Sequence, residues 1–175
     1  MYTFDKQKLL RRVIFGLLLV VCALLQHTRG AFVHFGSVHA WLLVPALVAV
    51  AMQERSVPAT LFGAFAGVLW DYAHVGADGV FALWFALLAF VCSTLVTFWV
   101  RNNLPAALVL SGAALCLTAV VQWFCFVVLP GQGSAAAVLF SHALPSALFS
   151  FLFAPLLCWL VQRAAKACST IESAV

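Results

Sequence analysis

Long runs of uncharged, apolar residues are the feature that most constrains how this chain can fold. Residues 80–99 (VFALWFALLAFVCSTLVTFW) and 104–129 (LPAALVLSGAALCLTAVVQWFCFVVL) contain no charged side chain. A helix needs about 20 apolar residues to cross roughly 30 Å of hydrocarbon. Charged residues make up 8% of the chain, which is too few to cover a water-soluble globule. The sequence therefore predicts an all-α integral membrane protein.

Six apolar stretches are predicted to form transmembrane helices. They belong to one domain, residues 1–175, with short tails at about 1–11 and 163–175. Proline and glycine separate them, and Pro58 and Pro105 stand where a helix would begin, a position at which the missing N–H costs little. The second stretch is short for a helix that crosses the bilayer perpendicularly. The predicted spans are Arg12–Gln26, Val38–Met52, Pro58–Val75, Val80–Trp99, Leu104–Leu129 and Val138–Val161.

The basic residues indicate the orientation of these helices. Of the nine Lys and Arg residues, only Arg29 falls in a loop on the side opposite the termini. By the positive-inside rule both termini are predicted to be cytoplasmic, and the even number of spans agrees with this. The residues after the first span, QHTRG, contain no signal-peptide cleavage pattern, so we expect this span to be retained. We interpret the net charge of +4 as a topological signal, and we expect no nucleic-acid partner.

Side chains that could carry out chemistry are scarce within the predicted spans. Asp71 is the one acid that falls clearly inside a span, and the sequence contains no H-E-x-x-H motif and no second intramembrane aspartate. The histidines near the span ends form no pair at helical i, i+4 spacing, and the six cysteines form no C-x-x-C motif. We therefore expect no enzymatic activity, no catalytic residue, no metal site, no cofactor and no disulfide.

Spaced glycines distinguish the third span, where residues 63–79 are GAFAGVLWDYAHVGADG. Gly63, Gly67 and Asp71 are each four residues apart, so they share one face of a helix. Small residues at this spacing allow two helix backbones to approach closely in a bilayer, whereas a carboxylate there needs a partner. The face could receive a helix of the same chain or of another protein. Asp71 could fix the turn after the third span, contact a ligand or meet a partner.

Two segments together resemble the rod-shape-determining protein MreD family. In the third span and the turn after it, the matching positions of that family are spaced glycines, a helix-ending aspartate and a glycine-containing turn. In the last span, LPSALFSFLFAPLLCWLVQR contains two prolines ten residues apart, each of which removes a backbone hydrogen bond. The resemblance makes seven residues candidates for helix packing or partner binding: Gly63, Gly67, Asp71, Gly76, Gly79, Pro145 and Pro155.

The resemblance implies a non-enzymatic scaffold of the bacterial inner membrane. Proteins of the MreD family act with the single-span protein MreC in the cell-elongation complex. That complex also contains the glycosyltransferase RodA, a penicillin-binding transpeptidase and the actin-like MreB, and it directs side-wall peptidoglycan synthesis and maintains rod shape. The implied partners of this chain are therefore MreC, the other members of the complex and membrane lipid.

An alternative function follows from architecture. MreD proteins are similar to the substrate-binding S-components of energy-coupling-factor transporters, which are also small six-span bundles. The resemblance therefore implies a single compact bundle of the S-component type. In the alternative, Asp71, His74 and Asp78 would line an outward-facing pocket for a vitamin or a metal. The first span is bulky and has no A-x-x-x-A signature for coupling to a transporter, which favours the scaffold.

Overall fold

A computed structural model of the chain describes residues 3–28, 34–35, 38–73, 79–99, 103–125 and 144–173. These residues form six helices and one short antiparallel strand pair, in which His34 lies opposite His39. In chain order the elements are α1 (Thr3–His27), β1 (His34–Phe35), β2 (Val38–His39), α2 (Leu43–Ala51), α3 (Ser56–Ala73), α4 (Val80–Phe98), α5 (Leu104–Trp123) and α6 (Leu144–Ser173).

Four of these helices contain a segment that is long and apolar enough to cross a membrane. The segments are Leu9–His27 in α1, Val80–Phe98 in α4, Leu104–Trp123 in α5 and Pro145–Lys166 in α6. Only about a third of the residues in each segment, or fewer, are buried within the protein. Large apolar side chains therefore cover the outside of the bundle. Such a surface is stable in lipid, and the chain is therefore a helical membrane protein.

Successive helices run in opposite directions. The side chain of Gln26, at the end of α1, contacts Leu43 at the start of α2, whereas Arg11, near the start of α1, contacts Glu54 just after α2. Ser150, near the start of α6, lies beside Trp41 just before α2. The start of α1 and the end of α6 are therefore on the same side. We call this side the Glu54 end and the opposite side the Trp70 end.

The short helix α2 lies at the centre of the bundle. All nine of its residues are buried, and it contacts each of the other five helices. Its sequence, LVPALVAVA, is apolar on every face, which is typical of a helix surrounded by other helices. At 1.5 Å per residue it is about 13 Å long, less than half of the roughly 30 Å hydrocarbon thickness.

Within the predicted second span, Val38–Met52, the expectation of a helix was wrong at the beginning of the segment. Val38 and His39 form strand β2, and the helix starts only at Leu43. Pro45 fits this later start, because proline has no N–H and costs least in the first turn of a helix. A helix starting at Leu43 places Pro45 in that turn, whereas one starting at Val38 would place it in the interior.

The first and last helices extend beyond the predicted spans. Helix α1 begins at Thr3, and α6 continues to Ser173, so both predicted tails are largely helical. The last helix begins at Leu144, which puts Pro145 in its first turn. The parts of the predicted spans at 74–75, 126–129 and 138–143 lie outside the described residues.

Candidate functional site

The glycine face of α3 packs against the backbone of α4. A Cβ atom added at Gly63 would lie 2.8 Å from the Cα of Ala86 and 2.8 Å from the Cβ of Ala89, and it would also collide with the carbonyl oxygen of Phe85. One added at Gly67 would lie 2.6 Å from the backbone nitrogen of Ala82. Non-bonded carbon atoms prefer about 3.5–4.0 Å. Only glycine therefore fits at these two positions, and the face is occupied by a helix of the same chain.

Asp71 lies one helical turn beyond Gly67 on the same face and caps the start of α4. Its Oδ1 accepts a hydrogen bond from the N–H of Phe81 at 3.3 Å, and its Oδ2 accepts one from the N–H of Ala82 at 3.0 Å. These are the second and third N–H groups of α4, the donors that a helix leaves unpaired at its N-terminus. The positive end of the helix dipole also stabilises the carboxylate there.

Gly79 explains why the cap comes from another helix. It occupies the N-cap position of α4 with φ of 85°, a left-handed conformation that favours glycine, and it has no side chain with which to cap. Asp71 supplies that side chain from α3. The close approach at Gly67 and the cap at Asp71 therefore form one unit that joins α3 to α4. Gly76 and the candidate pocket residues His74 and Asp78 lie outside the described residues.

The two prolines of α6 lie apart from this unit. Pro145 is the second residue of the helix, where its missing N–H is not needed. Pro155 lies inside the helix and is exposed on its outer surface, where its ring removes the hydrogen bond to the carbonyl of Phe151. The structure does not bring either proline together with Asp71 or the α3 glycines.

Polar side chains bind the backbone at the start of α2, which lies toward the Trp70 end of the bundle. Oε1 of Gln26 accepts a hydrogen bond from the N–H of Leu43 at 3.1 Å, and Oγ of Ser150 accepts one from the N–H of Trp41 at 2.6 Å. Pro45 removes one further donor from the first turn. A helix start that is buried within a protein needs such partners, because water cannot reach its free N–H groups.

The opposite end of α2 is held by an ion pair. Nε of Arg11 donates to Oε1 of Glu54 at 2.8 Å, and Nη2 of Arg11 donates to the carbonyl oxygen of Gln53 at 3.2 Å. Oγ of Ser93 donates to the carbonyl oxygen of Glu54 at 2.8 Å. Nε of Arg12 lies 3.9 Å from Oε2 of Glu54. The guanidinium of Arg11 therefore binds the Glu54 carboxylate and also stabilises the negative C-terminal end of α2.

Sequence reasoning missed Glu54, whose side chain is only 5% exposed. A signal for it was present, because Glu54 follows an apolar stretch and Arg11 and Arg12 precede another, with both sets predicted on the same membrane face. An acid and a base at the same predicted depth are natural partners. Gln26 and Ser150 hold one end of α2, and Arg11, Glu54 and Ser93 hold the other. These residues come from three helices and a loop, so sequence spacing could not identify the set.

Aromatic rings fill the Trp70 end of the bundle. Trp70 is fully buried, and its ring centroid lies 5.4 Å from Phe85, 5.8 Å from Phe81, 6.1 Å from Trp41 and 6.4 Å from His27. The contacts join α3 to α1, to α4 and to the segment before α2. Edge-to-face and tilted pairs of this kind add to the stability that burial provides. Trp70 is therefore a core residue of the bundle.

The described residues provide no group of three or more His, Cys, Asp and Glu side chains that could hold a metal ion. The thiols of Cys22, Cys92 and Cys158 are buried, and Cys116 is exposed on the outer surface of α5. What the described polar groups do together is chiefly structural: they hold α2 in place and join α3 to α4. In comparisons with known proteins, no family model matches the chain, and nothing among the curated proteins or the solved structures matches it.

Proposed function

We propose that the chain is a non-enzymatic scaffold of the bacterial inner membrane, of the MreD type. In this role it binds the single-span protein MreC within the cell-elongation complex and helps to direct side-wall peptidoglycan synthesis. The observation that carries the proposal is that the two buried or half-buried acids among the described residues have structural partners. Both oxygens of Asp71 accept backbone hydrogen bonds, and Glu54 is paired with Arg11.

The outer surface supports the same proposal. Exposed leucine, valine and phenylalanine side chains cover the helices that contain a membrane-spanning segment. Helix association in lipid depends on close van der Waals packing and does not require charge, so apolar faces of this kind are available to lipid or to a partner helix. The Gly63 and Gly67 face is already filled by α4, so a partner helix binds to another face of the bundle.

The proposed topology has six passes, with both termini in the cytoplasm and the bundle resembling an S-component. In this arrangement the Glu54 end is cytoplasmic. The second pass consists of α2 together with the segment before it, because α2 alone is too short to cross. The ion pair of Arg11 and Glu54 then lies at the cytoplasmic boundary, where its cost of burial is smallest.

An affinity purification from native bacterial membranes tests this function. The tagged chain is extracted in mild detergent, and co-purifying proteins are identified by mass spectrometry. Recovery of MreC, with or without RodA, is the expected result. Recovery of a membrane coupling subunit with paired ATPases would instead show a transporter subunit. A tagged membrane protein of similar size, expressed at the same level, controls for non-specific recovery.

A further inference from the structure

A groove between α1 and α3 opens sideways from the bundle near the Glu54 end. It has a volume of about 540 Å³, within the range of sites that hold small molecules. Apolar side chains of α3 form most of its wall, and one basic side chain lies at its polar end. The lining residues are Arg12, Gly16, Val57, Pro58, Leu61, Phe62 and Phe65.

The charge at the polar end of the groove is not balanced within the described part of the chain. Arg11 forms the close pair with Glu54, whereas Nε of Arg12 remains 3.9 Å from that carboxylate. The Arg12 side chain is 48% exposed, and among the described residues its Nη groups have no hydrogen-bond partner. Arg12 lies three residues inside the apolar segment that begins at Leu9, close to the depth of lipid phosphates. A guanidinium with free donors favours a phosphate there.

The length of the groove fits one leaflet. Its α3 wall extends over the nine residues from Val57 to Phe65, which is about 13 Å of helix. Half of a 30 Å hydrocarbon core is about 15 Å, so the groove matches an acyl chain of a single leaflet. A partner transmembrane helix would need a groove over both leaflets. Gly16 places no side chain in the groove, and an added Cβ there would already contact Cε1 of Phe62 at 3.8 Å.

We propose that this groove binds one anionic glycerophospholipid from the leaflet at the Glu54 end. The phosphate lies against the Nη groups of Arg12, and one acyl chain lies along Leu61, Phe62 and Phe65. The site goes beyond the proposed scaffold function and does not depend on it, because its argument uses only the groove and its charge.

Native mass spectrometry with added lipid tests the proposal. The purified chain is delipidated and then incubated with phosphatidylglycerol or with phosphatidylcholine of the same acyl chains. We expect the wild type to retain one phosphatidylglycerol preferentially. Arg12→Gln should reduce that retention about fivefold, the factor typical of one basic residue near an anionic lipid surface. Gly16→Leu should reduce retention of both lipids, because the new side chain fills the groove.

Arg163→Gln is the matched control, because it removes the same charge from α6, where the guanidinium stacks 5.0 Å from the ring centroid of Trp159. It should change retention of phosphatidylglycerol less than twofold. Equal loss in the Arg12 and Arg163 variants would overturn the site, as would equal retention of the two lipids by the wild type. Normal lipid retention by the Gly16→Leu variant, together with loss of a co-purifying membrane protein, would show that the groove binds a helix instead. Melting temperatures of all variants identify any that are misfolded.

Discussion

Replacement of Gly67 by alanine tests the close packing of α3 on α4. The new Cβ would lie 2.6 Å from the backbone nitrogen of Ala82 and would also collide with the carbonyl oxygen of Phe81, and neither backbone atom can rotate away. The helices must therefore separate by about 1 Å to restore an ordinary contact distance. That separation lengthens the hydrogen bonds from Asp71 to Phe81 and Ala82, which are already 3.3 and 3.0 Å.

The expected loss in the free energy of unfolding follows from these contacts. Overpacking costs about 1–3 kcal/mol, and weakening the cap costs about 0.5–2 kcal/mol. The higher helix propensity of alanine returns about 1 kcal/mol. We expect a net loss of about 2 kcal/mol in the free energy of unfolding, which for a chain of this length lowers the melting temperature by about 4–8 °C. Thermal unfolding in mild detergent, followed by size-exclusion chromatography with tryptophan fluorescence, measures this shift.

Gly16→Ala is the control for this experiment. Its Cβ would meet only Cε1 of Phe62, at an ordinary contact distance of 3.8 Å, so the gain in helix propensity should leave the melting temperature equal or higher. A Gly67→Ala variant that melts at or above the wild-type temperature would refute the reasoning. So would an equal decrease in the two variants, because the effect would then not depend on contact with α4.

Three further predictions use the same unfolding assay. Asp71→Ala should lower the free energy of unfolding by about 1–2 kcal/mol, because the cap on α4 is lost. Asp71→Asn should lower it less, because its amide oxygen still accepts one of the two hydrogen bonds. Equal losses in the two variants would contradict the capping role. Arg11→Ala should lower the free energy of unfolding by about 1.5–3 kcal/mol, because the buried Glu54 carboxylate then has only the more distant Arg12 as a partner. As a control, removal of the exposed Arg55 side chain should lower it by less than about 0.5 kcal/mol. Ser150→Ala should lower the free energy of unfolding by about 1–3 kcal/mol, because the buried N–H of Trp41 loses its acceptor. An unchanged stability would show that this N–H has another partner.

The membrane class and most helix positions could be predicted from the sequence. Uncharged runs such as 80–99 and 104–129 are constrained locally, since a segment of that length and composition must satisfy its backbone hydrogen bonds within a helix in lipid. The spacing of Gly63 and Gly67 likewise predicted a close helix approach. Helix α4 begins at Val80 and α5 at Leu104, as predicted, because Gly79 and Pro105 mark those starts in the sequence.

Only the tertiary structure decided which residues meet. Periodicity placed Gly67 and Asp71 on one face but did not show that α4 fills it, because contact between two helices depends on where both lie in the bundle. The same holds for Arg11 and Glu54, which are 43 residues apart in the chain. Helix α2 is the clearest case. Its nine apolar residues could belong to a full span, and only the polar side chains that other helices place at its two ends make a short, fully buried helix stable there.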